Sequence, residues 1–463
     1  MQKEKLKETK EGRKIKMDKM LRTKNGITLI ALVVTIVILL ILASVSISLV
    51  LDNNGIINRS KEARREYGQA KDNEQEQLNE ASDWMDGKTN GNGGTSKPIK
   101  VGVNEKATSN GTINGGEGNT NNPTIPEGYT PINTDASNWG DGSSAPTQDS
   151  IDHGLVIKDD SNNEWVWVPV DSATLATMYE TSSDAKTLCG TTGETAVTTN
   201  KYSKTMTIGK DSNTITMSRT TPGDKFNAHE PDLAVNDDSV DYDANEAYYK
   251  TILGFESKEK MAEAFVADYN EMLTSIGKYG GFYIGRYELS SAGVQKDKAT
   301  LVKNNWYNLY KKCKELNASN KVETRMIWGC QWDVTCNFIA NKGDKKSIRD
   351  SSSWGNYDDS TSPANTGNYE KRKRKNTGSN EAWKANNIYD LAGNCSEWTQ
   401  EVNYTNLRAV RGGSYINNGS SVPASFRSGY SSDDSDYGIL RFSYHFNNKV
   451  IRRWGCKKFC VKK

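Results

Sequence analysis

The chain has 463 residues, of which 35% are hydrophobic and 25% charged, and its 60 Lys/Arg against 58 Asp/Glu give a net charge of +2. This length is sufficient for two or three average domains, and the low apolar fraction places long stretches outside any core. The first 25 residues hold 10 Lys/Arg and 4 Asp/Glu, a charge of +6, which leaves −4 for the rest. Because the chain after residue 25 has no excess of basic residues, we do not expect nucleic acid to be its main partner.

An uncharged run of 25 residues, ITLIALVVTIVILLILASVSISLVL, covers Ile27 to Leu51. A helix of this length rises far enough to cross a bilayer core of about 30 Å, so the run predicts a transmembrane helix in contact with membrane lipid. The alternative, a cleaved secretory signal, has an apolar region of only about 7 to 15 residues. Because Lys and Arg precede the run, we expect a single-pass protein of the cell membrane with a cytoplasmic N-terminus and an extracellular C-terminal domain.

The junction LRTKNGITLIALVVTIVILLILA resembles the leader and first helix of bacterial type IV prepilins. This resemblance implies that Gly26 ends a basic cytoplasmic leader, residues 1–26, and that a prepilin peptidase cuts before Ile27, which is then methylated. Filament-forming pilins carry a glutamate at the fifth mature position, where this chain has Ala31. A charge in lipid is costly unless it makes such a contact, so its absence disfavours filament assembly.

The next two segments differ sharply in composition. Residues 52–86 are rich in helix formers and predict a helical extension of the membrane segment. Residues 87–150 are dominated by Gly, Asn, Ser and Thr, with too few apolar side chains to offset the entropy of ordering. They predict a flexible linker that holds the following domain away from the membrane.

Residues 151–446 carry the patterns of a folded α+β domain, and residues 447–463 form a basic tail. GLVIKDDSNNEWVWVPVD predicts a β-hairpin, because two apolar runs flank a polar turn. KMAEAFVADYNEMLTSIG predicts a helix and GGFYIGRYELSS a short strand. TRMIWGCQWDVTCNFIANKG predicts an amphipathic helix with Met326, Trp332, Cys336 and Ile339 on one side.

Five segments of this domain, in the same order, resemble the formylglycine-generating (sulfatase-modifying factor) family. They are WVWVPVD, GGFYIGRYELS, IWGCQWDVTCNFI, NIYDLAGNCSEWTQE and RAVRGGSYINNG. The resemblance implies a variant of the C-type lectin fold. The fold class expected from the sequence is therefore α+β, a C-type-lectin-like domain on a single N-terminal transmembrane helix.

The oxidising members of that family bind copper through two cysteines that follow R-G-G-S-Y. Here the matching positions are Asn417 and Val422, neither of which supplies a thiolate. We therefore expect no oxidase activity, no catalytic residues and no bound copper. Cys330 and Cys336 are interpreted as small buried hydrophobes, while Cys456 and Cys460 are the best candidates for a disulfide.

The three histidines, His153, His229 and His445, stand in separate polar contexts and are expected at the surface. A histidine base beside a nucleophile therefore has no local support in the sequence.

The stretch YDLAGNCSEW matches a turn that surrounds a structural calcium ion in the family. By this resemblance Asp390 and Glu397 would supply side-chain oxygens, and Gly393 and Cys395 backbone carbonyls, to Ca²⁺, which prefers hard oxygen ligands. The thiol of Cys395 would take no part. A purely structural turn anchored by Trp398 is the alternative.

The segment 415–437, YINNGSSVPASFRSGYSSDDSDY, has the Tyr, Ser, Asn and Gly content of adaptable binding surfaces. The alternative is a polar loop without a ligand. Its composition is similar to that of variable proteins of diversity-generating retroelements, which share the family's fold. The ligand contacts expected here are Tyr415, Asn417, Asn418, Ser420, Phe426, Arg427, Tyr430, Asp433, Asp436 and Tyr437.

Taken together, these patterns predict a membrane-anchored surface protein whose catalytically silent domain binds an extracellular protein or glycan, as an adhesin, receptor or variable protein. A minor pilin or pseudopilin of a type IV pilus or a secretion or uptake system is the alternative. A copper-dependent formylglycine-generating oxidase has the least support, because Asn417 and Val422 stand at its cysteine positions.

Overall fold

Antiparallel strands and a few amphipathic helices make up the computed structural model of this chain. It describes residues 119–126, 128–140, 145–235, 243, 245–316, 322–361, 370–404, 406–434, 439–440 and 442–446, the last two ranges by their backbone alone. The predicted processing site at Gly26 and Ile27, the predicted membrane span 27–51, the helical extension 52–86 and the tail 447–463 lie outside the described residues.

Strands and helices are interspersed along the chain. The strands are β1 (Tyr129–Ile132), β2 (Val156–Asp159), β3 (Glu164–Pro169), β4 (Tyr179–Thr187), β5 (Thr198–Ser203), β6 (Met206–Ile208), β7 (Ile215–Met217), β8 (Gly281–Gly285), β9 (Val322–Met326), β10 (Lys384–Ala385), β11 (Ile388–Tyr389), β12 (Glu397–Val402), β13 (Leu407–Arg411), β14 (Arg427–Ser431), β15 (Ile439–Leu440) and β16 (Phe442–Phe446). The α-helices are α1 (Gln148–Asp152), α2 (Ser172–Met178), α3 (Lys258–Tyr279), α4 (Trp306–Glu315) and α5 (Gly329–Asn341), with a π-helical turn at Ala247–Ile252.

The larger sheet has six strands in the order β1-β2-β3-β8-β16-β9, and each neighbouring pair is antiparallel. The predicted hairpin is confirmed, since Ile157 of β2 pairs with Trp165 of β3. Trp165, Val166, Trp167 and Val168 are all fully buried, so both faces of β3 are covered. A continuous apolar run, rather than an alternating one, is what such a strand requires.

Helix α3 confirms the helix predicted for this region and packs on the sheet. Its N-cap Ser257 accepts a hydrogen bond from the amide of Lys260, and it ends at Gly280 in the left-handed region, φ 77°. Met261, Phe265 and Ile276 of its apolar face are fully buried. They lie about one and three helical turns apart, so they fall on one side of the helix and form the single apolar stripe visible in the sequence.

One predicted helix is partly wrong. Residues up to Met326 form strand β9, which pairs with β16, and the helix itself begins only at Gly329. In Val322–Met326 buried and half-buried residues alternate, and pairing with a strand more than 100 residues away decides the conformation. Cys330 and Cys336 lie in α5, free and fully buried, as their interpretation as small hydrophobes predicts.

The folded part of the chain begins before residue 151. Strand β1 lies within the range assigned to the flexible linker, and it pairs with β2 at the edge of the larger sheet. Tyr129 is buried, and the indole N–H of Trp139 donates to the carbonyl of Val156 over 2.7 Å. A few aromatic residues within the polar stretch are therefore enough to attach it to the core.

A smaller four-stranded sheet, in the order β14-β13-β12-β15, comes from the last third of the chain. β12 is antiparallel to β13 and parallel to β15, and all six residues of β12 are buried. The hairpins β4-β5 and β6-β7 lie outside both of these sheets. The connection from β13 to β14 carries most of the segment predicted to bind a ligand.

The fold class expected from the sequence is corrected by these findings. The described chain is a mixed α/β arrangement with several antiparallel sheets. Among the residues that the structure describes, each helix is too short or too polar to span a lipid bilayer. The expected α+β class is thus replaced by this mixed α/β arrangement, and residues 27–51, to which the transmembrane helix was assigned, lie outside the described residues.

Candidate functional site

A cleft of about 360 Å³ opens beside the connection from β13 to β14. Strand β7 supplies one wall and the connection supplies another. The lining combines apolar side chains, serine hydroxyls and two guanidinium groups, namely Ile215, Met217, Pro423, Phe426, Ser420, Ser421, Ser425, Arg349 and Arg427. This volume is within the range of about 300 to 1,000 Å³ found for ligand sites. The mixture suits a ligand with an anionic group beside an apolar one.

Two consecutive glycines turn the chain out of β13 towards the cleft. Gly412 and Gly413 have φ angles of 84° and 73°, in the left-handed region that favours glycine. A Cβ on Gly412 would lie 2.8 Å from the carbonyl oxygen of Leu391. The hydroxyl of Tyr357 donates to the carbonyl of Gly412 over 2.6 Å. The R-G-G motif is thus a turn that the surrounding core fixes in place.

Side-chain hydrogen bonds hold the rest of the connection in one conformation. The carboxylate of Asp359 accepts from the amide of Gly419 at 2.6 Å and from the hydroxyl of Ser420 at 2.8 Å. The hydroxyl of Ser425 donates to the carbonyl of Ile348 over 2.6 Å. The cleft wall is therefore preformed, which lowers the entropic cost of binding a ligand.

Arg427 lines the cleft and is held by two hydrogen bonds to the protein. Its Nη1 donates to Oε1 of Glu401 and its Nη2 to the carbonyl of Ser218, both over 2.9 Å. The side chain is 17% exposed, whereas that of Glu401 is fully buried. Glu401 therefore fixes the orientation of Arg427 and neutralises part of its charge.

Arg349 provides the more available positive charge. It is exposed, and its guanidinium donates to the carbonyl of Thr214 over 3.3 Å. Within the described residues it forms no ion pair with a carboxylate. An anionic ligand can pair with this side chain without displacing an internal carboxylate.

A buried charge network extends from Glu401 behind the cleft. Its members have fully buried side chains, and they are Arg219, Arg411, Glu230, Asp333 and Glu401. Arg219 lies 2.5 Å from Asp333 and 2.9 Å from Glu401, and Arg411 pairs with Asp333. With Arg427 the network holds three cations and three anions, a balance that buried charges require.

The two glutamates of the network are shifted in opposite directions. Burial acts to raise the pKa of Glu401, but Arg219, Arg427 and Arg411 outweigh it and lower the pKa to about 2. Burial raises the pKa of Glu230 above its ordinary value, with Arg219 acting against this. The carboxylate of Glu230 accepts from the first amides of α5, Gly329 at 2.8 Å and Cys330 at 2.7 Å. It thereby caps the positive end of that helix.

The structure brings three of the ten predicted ligand residues together, since Ser420, Phe426 and Arg427 all line the cleft. Three further lining residues, Ile215, Met217 and Arg349, come from segments that no local pattern marks as part of a site. Only their position in the folded chain identifies them.

The other predicted ligand residues have different surroundings. The amide of Tyr415 donates to the carbonyl of Asn394, the side-chain oxygen of Asn417 accepts from the amide of Ser414, and the ring of Tyr430 packs edge-on against that of Trp398. These three help to organise the connection. Asn418 is exposed and Asp433 half-buried, while Asp436 and Tyr437 lie outside the described residues.

The residues predicted to surround calcium form a tight turn between β11 and β12. Oδ2 of Asp390 accepts from the hydroxyl of Thr377 at 2.9 Å and from the amide of Gly378 at 2.8 Å. The amides of Gly393 and Cys395 donate to the carbonyl of Gly412 and to Glu288. Glu397 is fully buried in β12. These contacts hold the turn against Gly412, at the start of the connection from β13 to β14. Binding of calcium here stays a prediction.

The expectation that all three histidines lie at the surface is wrong for His229, which is fully buried. Its backbone forms two hydrogen bonds with Val402 of β12, which carry the ring into the interior. The polar sequence around His229 indicates a surface loop, and only this long-range pairing explains the burial. The ring of His153 is partly exposed, and the side chain of His445 is not described.

Comparison with known proteins gives little further information. No family model matches the chain, and no curated protein matches it. A solved structure titled "Treponema denticola variable protein 1" is 16% identical, and the alignment covers 35% of this chain and 84% of that one with a TM-score of 0.23. A TM-score of this size does not establish a shared fold. The resemblances to prepilins and to the formylglycine-generating family receive no confirmation from these comparisons.

Proposed function

We propose that this domain binds a segment of another protein in the cleft formed by Ile215, Met217, Arg349, Phe426 and Arg427. The observation that carries the proposal is the meeting of two guanidinium groups with an apolar wall in one preformed cleft of about 360 Å³. The segment presents an acidic side chain next to an aliphatic or aromatic one.

Each half of the cleft supports one part of this ligand. Arg349 is exposed and without an ion pair among the described residues, so it attracts a carboxylate. Met217 and Phe426 supply apolar surface of the kind that packs against a side chain. The hydroxyl of Ser421 adds a donor and an acceptor for a peptide backbone, and that of Ser420, whose hydrogen is donated to Asp359, adds an acceptor.

We propose binding rather than chemistry for this site. Asn417 and Val422 stand at the positions where oxidising members of the formylglycine-generating family, which the motifs of this chain resemble, carry cysteines, and neither side chain can form a thiolate. The fixed hydrogen bonds of Asp359 to Gly419 and Ser420 also suit a rigid recognition surface.

The test is to pan a random peptide display library on the full-length protein and to measure the selected peptides by fluorescence anisotropy. We expect peptides that carry Asp or Glu beside an apolar residue. Arg349→Met should weaken their binding by about tenfold or more, because a charged hydrogen bond contributes roughly 1.5 to 3 kcal/mol. Phe426→Ala should weaken it similarly through lost apolar contact.

Matched controls separate the cleft from general surface effects. Arg372→Met removes an exposed arginine that pairs with Asp358, and Phe226→Ala removes an aromatic ring that is 77% exposed. Both controls should bind like the native protein. Equal binding by the native protein, Arg349→Met and Phe426→Ala would place the ligand elsewhere. If no peptide is selected, and a glycan binds the native protein but not Arg349→Met, the ligand is a glycan and the proposed peptide ligand is wrong.

A further inference from the structure

A second cluster of chemically active side chains lies apart from the cleft. Cys189, His229 and Asp232 are buried, and one candidate ligand atom from each, Sγ, a ring nitrogen and a carboxylate oxygen, lies within 4.8 Å of the other two. Cys189 follows β4, whereas His229 and Asp232 lie in the loop that precedes the π-helical turn. The fold therefore joins residues that are about 40 positions apart.

The carboxylate of Asp232 is held in a fixed orientation by main-chain amides. Oδ1 accepts from the amide of Cys189 at 2.6 Å and from that of Leu233 at 2.8 Å. Oδ2 accepts from the amide of Gly223 at 2.5 Å. Three amides from three segments thus stabilise a buried negative charge at this point. A buried charge of this kind needs a cation near it.

The ring of His229 is oriented as in a metal-bound histidine. Its Nδ1 lies 2.7 Å from the carbonyl oxygen of Asn227, so Nδ1 carries the hydrogen. Histidines that ligate a metal through one nitrogen usually donate the other N–H to a carbonyl or carboxylate. Nε2 is then the nitrogen that faces Asp232 and Cys189.

Nε2 has no well-aligned hydrogen-bond partner, although it is fully buried. It lies 3.0 Å from Oδ2 of Asp232, but the angles do not form a hydrogen bond between them. A buried ring nitrogen in this position needs either a proton shared with Asp232 or a cation. A shared proton satisfies His229 and Asp232, whereas a cation would also bind the sulfur of Cys189, which lies within the same 4.8 Å.

We propose that Cys189, His229 and Asp232 bind one Zn²⁺ ion. Thiolate, imidazole and carboxylate are the three ligand types that zinc takes in proteins. With a neutral imidazole, one thiolate and one carboxylate, the bound set has no net charge, which favours its burial. Solvent supplies the fourth ligand on the side of Cys189, which is 7% exposed.

The ion would act as a structural clamp. His229 pairs with Val402 of β12, and Asp232 holds the amides of Gly223 and Cys189. The segment between Ser218 and Asp232 also carries Arg219 of the buried network and the carbonyl that receives Arg427. Zinc would therefore fix the segment that supports the cleft from behind.

The test is titration of the metal-free full-length protein with Co²⁺, which reports a thiolate ligand by a charge-transfer band in the near ultraviolet. We expect a band that saturates at one ion per chain, that added Zn²⁺ removes, and a rise in Tm with Zn²⁺. Cys189→Ser should abolish the band, and His229→Gln should weaken binding by about tenfold or more.

Two controls decide whether a band belongs to this cluster. Cys395→Ser changes a cysteine with the same 7% exposure and should leave the band unchanged. Cys456→Ser combined with Cys460→Ser removes the terminal C-x-x-x-C pair and should also leave it unchanged. Absence of a band in the native protein, or a band that persists in Cys189→Ser, overturns the proposal. The first of these outcomes needs only the native protein, so misfolding of a cluster variant does not hide it.

Discussion

Replacing Glu401 by glutamine is the sharpest test of the buried charge network. Glu401 contacts three arginines, since Arg219 and Arg427 lie 2.9 Å from its carboxylate and Arg411 lies 3.9 Å from it. The amide keeps the size of the side chain but removes its charge. It leaves three buried or half-buried cations against two acids, an imbalance that costs about 3 to 5 kcal/mol in buried pairs.

The pH dependence gives a second value for the free energy that the charge of Glu401 contributes to stability. The pKa of Glu401 falls from 4.5 to about 2 on folding, which corresponds to about 3 kcal/mol of stability at neutral pH, since one pKa unit equals about 1.4 kcal/mol. Because the folded-state pKa lies below the unfolded one, this stabilisation is complete above about pH 5. It disappears as the pH falls towards 2. Glu230, whose pKa is raised, makes a contribution to stability that is instead lost as the pH rises, in the native protein and in Glu401→Gln alike.

The assay is urea denaturation of the full-length native protein and of Glu401→Gln at pH 7 and at acid pH. We expect a loss of about 3 to 5 kcal/mol at pH 7 that shrinks as the pH falls below about 4. Glu381→Gln is the control, because the pKa of Glu381 is also lowered to about 2, yet its side chain is 61% exposed. Its loss should stay within about 1 kcal/mol. A loss below about 1 kcal/mol for Glu401→Gln, or one that is independent of pH, would refute the reasoning.

Two further predictions concern the turn predicted to hold calcium. Gly393→Ala should lower the free energy of unfolding by about 2 to 5 kcal/mol, because φ is 77° and the new Cβ would lie 2.4 Å from the carbonyl oxygen of Asn356. Gly254→Ala, with φ 78° and nothing within 4 Å of its Cβ, should cost only about 1 to 2 kcal/mol, and equal losses in urea denaturation would contradict the steric argument. Calcium at 100 times its Kd should stabilise the native protein by about 2.7 kcal/mol, visible as a rise in Tm that Glu397→Ala abolishes. A Tm that does not respond to calcium in the native protein would leave the turn purely structural.

Local patterns in the sequence predict the elements that local interactions determine. The hairpin of β2 and β3 follows from a polar turn between apolar runs, and helix α3 from one apolar stripe and its cap. Strand β9 is missed because its residues continue into the pattern of α5, and pairing with β16 separates the two. Strand β1 is missed because its few apolar residues stand in a polar composition.

In the candidate site, too, the sequence predicts what local composition determines and misses what tertiary packing determines. Ser420, Phe426 and Arg427 are predicted from the composition of the loop, and the structure places them in the lining of one cleft. Arg349 and Met217 are not found, since they reach the cleft only through tertiary packing. The burial of His229 is also beyond the sequence, because its neighbours are polar and the backbone pairing with Val402 is non-local. Site residues from several segments require the fold.

The β13–β14 connection contains both exposed residues and residues that hold it in place, and this matters for engineering new specificity. Ile416, Asn418 and Ser421 are exposed, so their replacement changes the surface offered to a partner without removing an internal contact. Two other residues attach the β13–β14 connection to the core. Gly413 does so by allowing the turn after β13, and Arg427 by donating to Glu401. A mutant library should therefore randomise the first group and retain the second. Recognition can then be changed while the scaffold keeps its stability.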